Sequence, residues 1–184
     1  MKKIILILLS GFLSLGLFAQ SPNYVDFEWD VFRFGYAASS ADAVSGGLTI
    51  GGELRYNATD QFSIGLGGDG YVFGTDFGGN SDLGVSSSSM IFGDYYLRGD
   101  SPQRAFVGLG VGIISTGTLM IRNGNVQETI NGSSGLGFAP RVGYEFGHVR
   151  LQGVYNLALK EGQSNFFGLS VALTLWGGYK GDRG

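Results

Sequence analysis

The chain of 184 residues is long enough for one domain with a sizeable interior, and its 34 glycines against 3 prolines exclude both the composition of disordered segments and the strict triplet of collagen. Charged residues make up 15% of the chain, the formal net charge is −3, and no Lys/Arg cluster occurs, so a nucleic-acid footprint is missing. With no cysteine, a disulfide scaffold and a lipid-anchored cysteine are both excluded.

Residues 1–19 begin the chain with MKKIILILLSGFLSLGLFA, in which Lys2 and Lys3 precede an apolar run from Ile4 to Phe18 and a small residue, Ala19. That order predicts a secretory signal peptide cut after Ala19. The run is too short for a comfortable membrane-spanning helix, and no later stretch approaches the roughly 20 apolar residues that one needs. Removal of Lys2 and Lys3 leaves a mature net charge of −5, and residues 20–184 are read as a single domain.

The rest of the chain has period two. A first, loosely alternating strand is predicted over 30–38. GLTIGGELRYNA (47–58) sets Leu48, Ile50, Leu54 and Tyr56 opposite Thr49, Gly51, Glu53 and Arg55. FSIGLGGDGYVF (62–73) sets Phe62, Ile64, Leu66 and Val72 opposite Ser63, Gly65, Gly67 and Asp69. Looser strands follow at 86–97 and 105–116. LGFAPRVGYEF (136–146) then opposes Leu136, Phe138, Val142, Tyr144 and Phe146 to Gly137, Ala139, Arg141, Gly143 and Glu145. VRLQGVYNLALK (149–160) opposes Val149, Leu151, Tyr155, Leu157 and Leu159 to Arg150, Gln152, Asn156 and Lys160, and a last strand covers 166–176. Alternation of this kind predicts eight strands, and no helical period occurs.

Links alternate as well. Those at 57–61, 98–104 and 147–148 are short; those at 39–46, 74–84, 117–135 and 161–165 are mostly longer and rich in Gly, Ser, Asn and Asp. An even strand count with short turns on one rim and longer loops on the other predicts an all-β, eight-stranded antiparallel up-and-down barrel of the transmembrane type, with both chain ends on the short-turn, periplasmic side. A soluble barrel would turn its apolar face inward and a membrane barrel outward. The polar face here interleaves charges of both signs with Gly, Ala and Ser, which suits a crowded lumen. The apolar face gathers Tyr56, Phe62, Tyr95, Tyr144 and Phe146 near the short-turn rim, where an interfacial girdle belongs.

In the run GLGFAPRVGYEFGHVRLQGVYNLAL, in DYYL leading through a short turn to AFVGLGVG, and in the closing FFGLSVALTLWGGYK, the chain resembles the small outer-membrane β-barrel proteins of the porin-like superfamily. It is similar in layout to the transmembrane domain of outer-membrane protein A and to the X-type eight-stranded barrels, over roughly residues 25 to 180, without room for a C-terminal peptidoglycan-binding domain. The resemblance implies the outer membrane of a Gram-negative envelope, outer-membrane lipid and lipopolysaccharide as surroundings, the barrel-assembly machinery as a partner, and a monomer. It leaves the role open among stabiliser, adhesin, small pore and enzyme, because this fold hosts all of them.

Few motifs suggest chemistry. Gly65, Gly67 and Gly70 satisfy G-x-G-x-x-G but sit inside a strand with no helix after them to receive a pyrophosphate, so no nucleotide cofactor is expected. His148, the lone histidine, falls at a two-residue turn on the periplasmic rim, whereas barrel enzymes that modify surface lipid work at the outer one; no catalytic residues are expected. Asp76, Asn80 and Asp82 offer oxygens without the spacing of a calcium loop, so no metal is expected. The sequons at Asn57 and Asn131 fall in predicted turns, where Asn is favoured for its backbone tolerance.

Above this background stands the polar-face set Arg33, Glu53, Arg55, Asp69, Asp94, Arg141, Glu145, Arg150 and Lys160. Charges inside a barrel must pair or be hydrated, and eight strands leave an interior just wide enough for side chains to fill. The expected arrangement is therefore a salt-bridge plug with a structural or surface-interaction role and no enzymatic activity; a selectivity-lined diffusion pore and a lipid-modifying enzyme are the alternatives. One segment poses its own question. VGLGVGII (107–114) places glycine at 108, 110 and 112 of a strand, and is expected to leave a bare stripe along the lumen wall for long side chains from elsewhere.

Overall fold

The computed structural model describes residues 23–40, 46–74, 80–98, 101–122 and 125–180. They form eight strands: β1 (Phe27–Ser39), β2 (Gly46–Asn57), β3 (Phe62–Gly74), β4 (Asn80–Tyr96), β5 (Gln103–Arg122), β6 (Asn125–Phe146), β7 (Val149–Ala158) and β8 (Phe166–Trp176). Each strand pairs antiparallel with its neighbour in sequence, and β1 also pairs with β8, which closes the barrel.

The two periodic faces are sorted by charge. Leu48, Ile50, Leu54, Leu66, Leu136 and Val142 are exposed on the outside, whereas Glu53, Arg55, Asp69, Arg141 and Glu145 from the same strands are buried within. A water-soluble barrel would need the opposite arrangement. Every strand contributes to the outer apolar belt, from Phe34 on β1 to Leu169 on β8, and its short-turn rim carries Phe27, Trp29, Phe62, Tyr95, Phe146 and Trp176 outward. Tyr56 and Tyr144 join this rim, their rings tilted against Phe27 and Phe146 at 5.2 and 4.5 Å.

A bulge accounts for the loose alternation of the first strand. The register with β2 shifts between Asp30 and Arg33, so both residues face inward although they lie three apart, while Trp29, Phe32 and Phe34 face outward. Two connections differ from the sequence reading. The stretch 117–135 is no loop: β5 runs on to Arg122 and β6 begins at Asn125, a long hairpin whose link is two residues. Likewise β4 begins at Asn80, which shortens the link expected at 74–84 and puts Asn80 and Asp82 in a strand; Asp76, the third oxygen donor considered there, lies outside the described residues. Neither sequon sits in a turn. Asn57 ends β2 with its side chain buried and donating to the Val25 carbonyl at 2.8 Å, and Asn131 lies within β6.

The charged lumen as candidate functional site

Seven strands send charges into the short-turn half of the lumen. At its centre Arg141 on β6 reaches two carboxylates: its Nη1 and Nη2 donate to Glu53 at 2.6 and 2.7 Å, while its Nε and Nη2 donate to Asp94 at 2.8 Å each. Arg33 on β1 shares Glu53 at 2.6 Å and grips both oxygens of Asp69 at 3.0 Å. Arg150 on β7 bridges Asp94 and Glu145, at 2.6 Å each, and also donates to the Tyr96 hydroxyl at 3.1 Å. Glu145 in turn accepts from Arg55 at 2.9 Å and Arg104 at 2.7 Å. Arg55 continues to Asp30 at 3.2 Å and Glu28 at 3.0 Å, and Asp30 also accepts from the Thr174 hydroxyl at 2.6 Å.

Every cation in this network is arginine, and geometry gives the reason. A planar fork of five donors can grip a carboxylate bidentately while reaching a second one and lying flat on a ring, a combination that a compact ammonium does not offer. Arg141 stacks on Phe92 at 3.6 Å, Arg150 on Phe106 at 3.7 Å, and Arg104 is held between the rings of Tyr24 and Tyr96 at 3.5 Å from each. Desolvated ions are tolerable only when paired, because each would otherwise forfeit several kcal/mol of hydration. Here every arginine of the network reaches at least two carboxylates, and Asp30 Oδ2, Arg33 Nε and Arg55 Nε are buried without a hydrogen-bond partner. At the mouth, outside the strands, burial pushes the Tyr24 phenol above its ordinary titration range.

The other half of the lumen is mainly apolar, with Thr49, Ser88 and Asn156 as buried polar side chains around Tyr71. Ala37, Tyr71, Phe73, Met90, Phe92, Ile114, Ala139, Val154 and Phe166 form one buried cluster on the long-link side of the charges, with Tyr71 edge-on to Phe166 at 4.5 Å. The glycine stripe serves both layers. A β-carbon at Gly108 would strike Asp94 and lie 3.1 Å from Arg141 Cγ; at Gly110 it would lie 2.5 Å from the Phe92 ring; at Gly112, 2.9 Å from Met90 Sδ. These side chains occupy the space that the missing ones leave.

Of the residues singled out in the sequence, Arg33, Glu53, Arg55, Asp69, Asp94, Arg141, Glu145 and Arg150 meet in this network. Lys160 does not. β7 ends at Ala158, and Lys160 is exposed in the following link with its Nζ 3.3 Å from the Ser134 carbonyl, because the alternation extrapolated through it stops two residues earlier. Lys160→Ala is accordingly expected to move the urea unfolding midpoint by less than about 0.5 kcal/mol equivalent, as exposed substitutions do. Sequence reasoning missed Glu28, Asp30 and Arg104. The bulge puts the first two out of phase, and Arg104 falls in the stretch expected as a turn (98–104) although β5 starts at Gln103. His148 stands exposed at the β6–β7 turn with Nδ1 3.1 Å from the Thr174 carbonyl.

No family model matches this sequence, and no curated protein does. Solved structures do. Neisserial surface protein A, NspA, superposes with a TM-score of 0.58 at 14% identity, over 82% of this chain and 97% of that one. Ail, the attachment invasion locus protein of Yersinia pestis, solved in complex with the heparin analogue sucrose octasulfate, gives 0.53 at 10% identity over 85% and 97%. The N-terminal β-barrel domain of Pseudomonas aeruginosa OprF gives 0.50 at 18% identity over 85% and 100%. At these identities the shared property is architecture, and the chain has the fold of the small eight-stranded outer-membrane β-barrels.

Proposed function

We propose that this chain is a monomeric integral β-barrel of a Gram-negative outer membrane, with a plugged lumen and a structural or surface-interaction role that involves no catalysis. The observation that carries the reading is the lumen itself, where five arginines and six carboxylates from seven strands are buried and paired across the full width of the wall. An eight-stranded barrel has little interior to spare, and stacked arginines with a mainly aromatic layer beyond them support a filled lumen over a water-filled path. The apolar belt and its aromatic rim fit a hydrocarbon layer with lipid and lipopolysaccharide around it, and insertion of such a wall is the task of a barrel-assembly machinery. In this orientation the short turns and both chain ends are periplasmic. The long β5–β6 hairpin then stands at the outer surface, where an interaction partner would meet it.

Planar-bilayer recording on refolded protein tests the reading. The expected trace has no unitary conductance steps, and the protein is expected to fractionate with outer membranes. Reproducible steps at moderate salt would replace the plug with a pore, and recovery in the soluble periplasmic fraction would remove the membrane assignment.

A further inference from the structure

We infer that residues 23–26 and 177–180, the segments that flank the barrel before β1 and after β8, form a lid over its short-turn mouth, separable from the wall and able to open without it. Tyr24 and Tyr179 make a single antiparallel bridge, with Val25 N–H donating to the Gly178 carbonyl at 3.1 Å and Lys180 N–H to the Asn23 carbonyl at 2.7 Å; their rings meet edge-on at 5.5 Å. Neither segment belongs to the barrel ladder.

This bridge is tied to the rim from several sides. Asn23 donates through its backbone and side-chain nitrogens to the two oxygens of Asp60 in the β2–β3 turn, at 3.0 and 2.7 Å. The Tyr24 hydroxyl donates to the Ser101 carbonyl in the β4–β5 turn. Gly177 and Gly178 have φ of +126° and +94°, values natural to glycine, and a β-carbon on Gly177 would strike Glu28. The chain is thereby brought close enough for Gly178 N–H to donate to Glu28 Oε1 at 3.1 Å.

Below the bridge the order toward the interior is Tyr24, Arg104, Tyr96 and Ser63: the Arg104 guanidinium lies 3.5 Å from each ring, and Ser63 Oγ is 3.5 Å from the Tyr96 hydroxyl. The lid is thus the layer that keeps water from Arg104 and Glu28. Asn57 adds two bonds from the wall, its N–H donating to the Asp26 carbonyl at 2.7 Å and its side-chain amide to the Val25 carbonyl at 2.8 Å. None of these contacts continues the strand ladder, and terminal segments outside the ladder open at a lower free energy than the whole fold. When this one opens, Arg104 loses one of its two rings and Glu28 loses the Gly178 donor, yet both keep their partners within the wall. The device is a hinged closure that presents a paired Arg–Glu surface to the short-turn side only when open. It goes beyond the plugged-lumen reading, and conductance of the intact protein bears on the plug alone.

The chain has no cysteine, so one introduced thiol reports unambiguously. Ser63→Cys places it under the lid, and Ser88→Cys, also buried but next to the apolar layer, serves as the internal reference. With the lid intact, a water-soluble maleimide is expected to label both slowly in detergent micelles. Combined with Tyr24→Ala and Tyr179→Ala, Ser63→Cys should label at least tenfold faster while Ser88→Cys is unchanged and the heat-dependent gel mobility of the folded barrel persists. Equal rates at residue 63 with and without the tyrosines would overturn the lid. So would equal acceleration at 63 and 88, which means general loosening. The milder Asn23→Ala, which removes the side-chain bond to Asp60, guards against misfolding: loss of the barrel in this variant as well would make the two segments part of the wall.

Discussion

Glu145→Lys is expected to abolish the folded barrel or to lower its urea midpoint more than any other single lumen substitution. The Glu145 carboxylate is the point where Arg55, Arg104 and Arg150 converge, at 2.9, 2.7 and 2.6 Å, with the Tyr96 hydroxyl 3.1 Å away. Deleting one member of a buried ion pair typically costs roughly 3–5 kcal/mol, because its partner is left charged and dry. Lysine would do more than delete: it would set a fourth cation among three, where a low dielectric magnifies repulsion. Glu145→Gln keeps the shape and one acceptor, so it should fall between the reversal and the native chain. Titration in lipid vesicles, followed through Trp29 and Trp176 at the exposed rim, reads the midpoints. An unchanged midpoint for Glu145→Lys would mean that this side chain faces water.

Gly110→Leu and Leu109→Ile should separate just as sharply, although the two positions are adjacent. Leu109 is 50% exposed on the outer face, between Val107 at 47% and Val111 at 47%, and a lipid surface accommodates either isomer. Gly110 is buried opposite, and its absent β-carbon would already sit 2.5 Å from the Phe92 ring and 3.1 Å from Ala139 Cβ. Phe92 cannot retreat freely because the Arg141 guanidinium lies on its face. Overpacking of this kind destabilises by about 1–3 kcal/mol, so the urea midpoint should drop for Gly110→Leu and hold for Leu109→Ile. Equal tolerance at both sites, or greater sensitivity at 109, would reverse the faces of β5.

How far the molecule could be read from its residues depended on whether a strand has one apolar face or two. The charged stretches of β2, β3, β6 and β7 set outward apolar residues against inward charges and glycines, and that alternation identified them and six lumen charges, Glu53, Arg55, Asp69, Arg141, Glu145 and Arg150. β4 carries Ile91 and Tyr95 outward but Met90, Phe92 and Tyr96 inward, and β8 buries Phe166 beside exposed Phe167. Where both faces are apolar the pattern has no period, and nothing in the sequence says which apolar residues turn inward, as Tyr71 and Phe73 on β3 also do. The upper β5–β6 hairpin was hidden by bulges, where the register shifts between Thr116 and Thr118 and again between Met120 and Ile121. A signal for it did exist. Asn123-Gly124, two residues between Arg122 and Asn125, is the dipeptide that favours a tight hairpin link.

The distribution of charge among the strands bears on how such a wall can be built. Arg141 and Glu53 are 88 residues apart and Arg55 and Glu145 are 90 apart, so several of the central pairs join parts of the chain that are remote in sequence. Taken hairpin by hairpin, β1–β2 carries Glu28, Asp30 and Glu53 against Arg33 and Arg55; β3–β4 carries Asp69 and Asp94 with no cation in the network; β5–β6 carries Arg104 and Arg141 against Glu145; β7–β8 carries Arg150 alone. No hairpin is neutral by itself. An incompletely closed sheet in hydrocarbon would hold unmatched ions, a state higher in free energy than either the water-exposed chain or the finished barrel. Partial insertion therefore has no resting place, and the eight strands are expected to enter and close in one cooperative event whose rate is limited by bringing the most distant segments together.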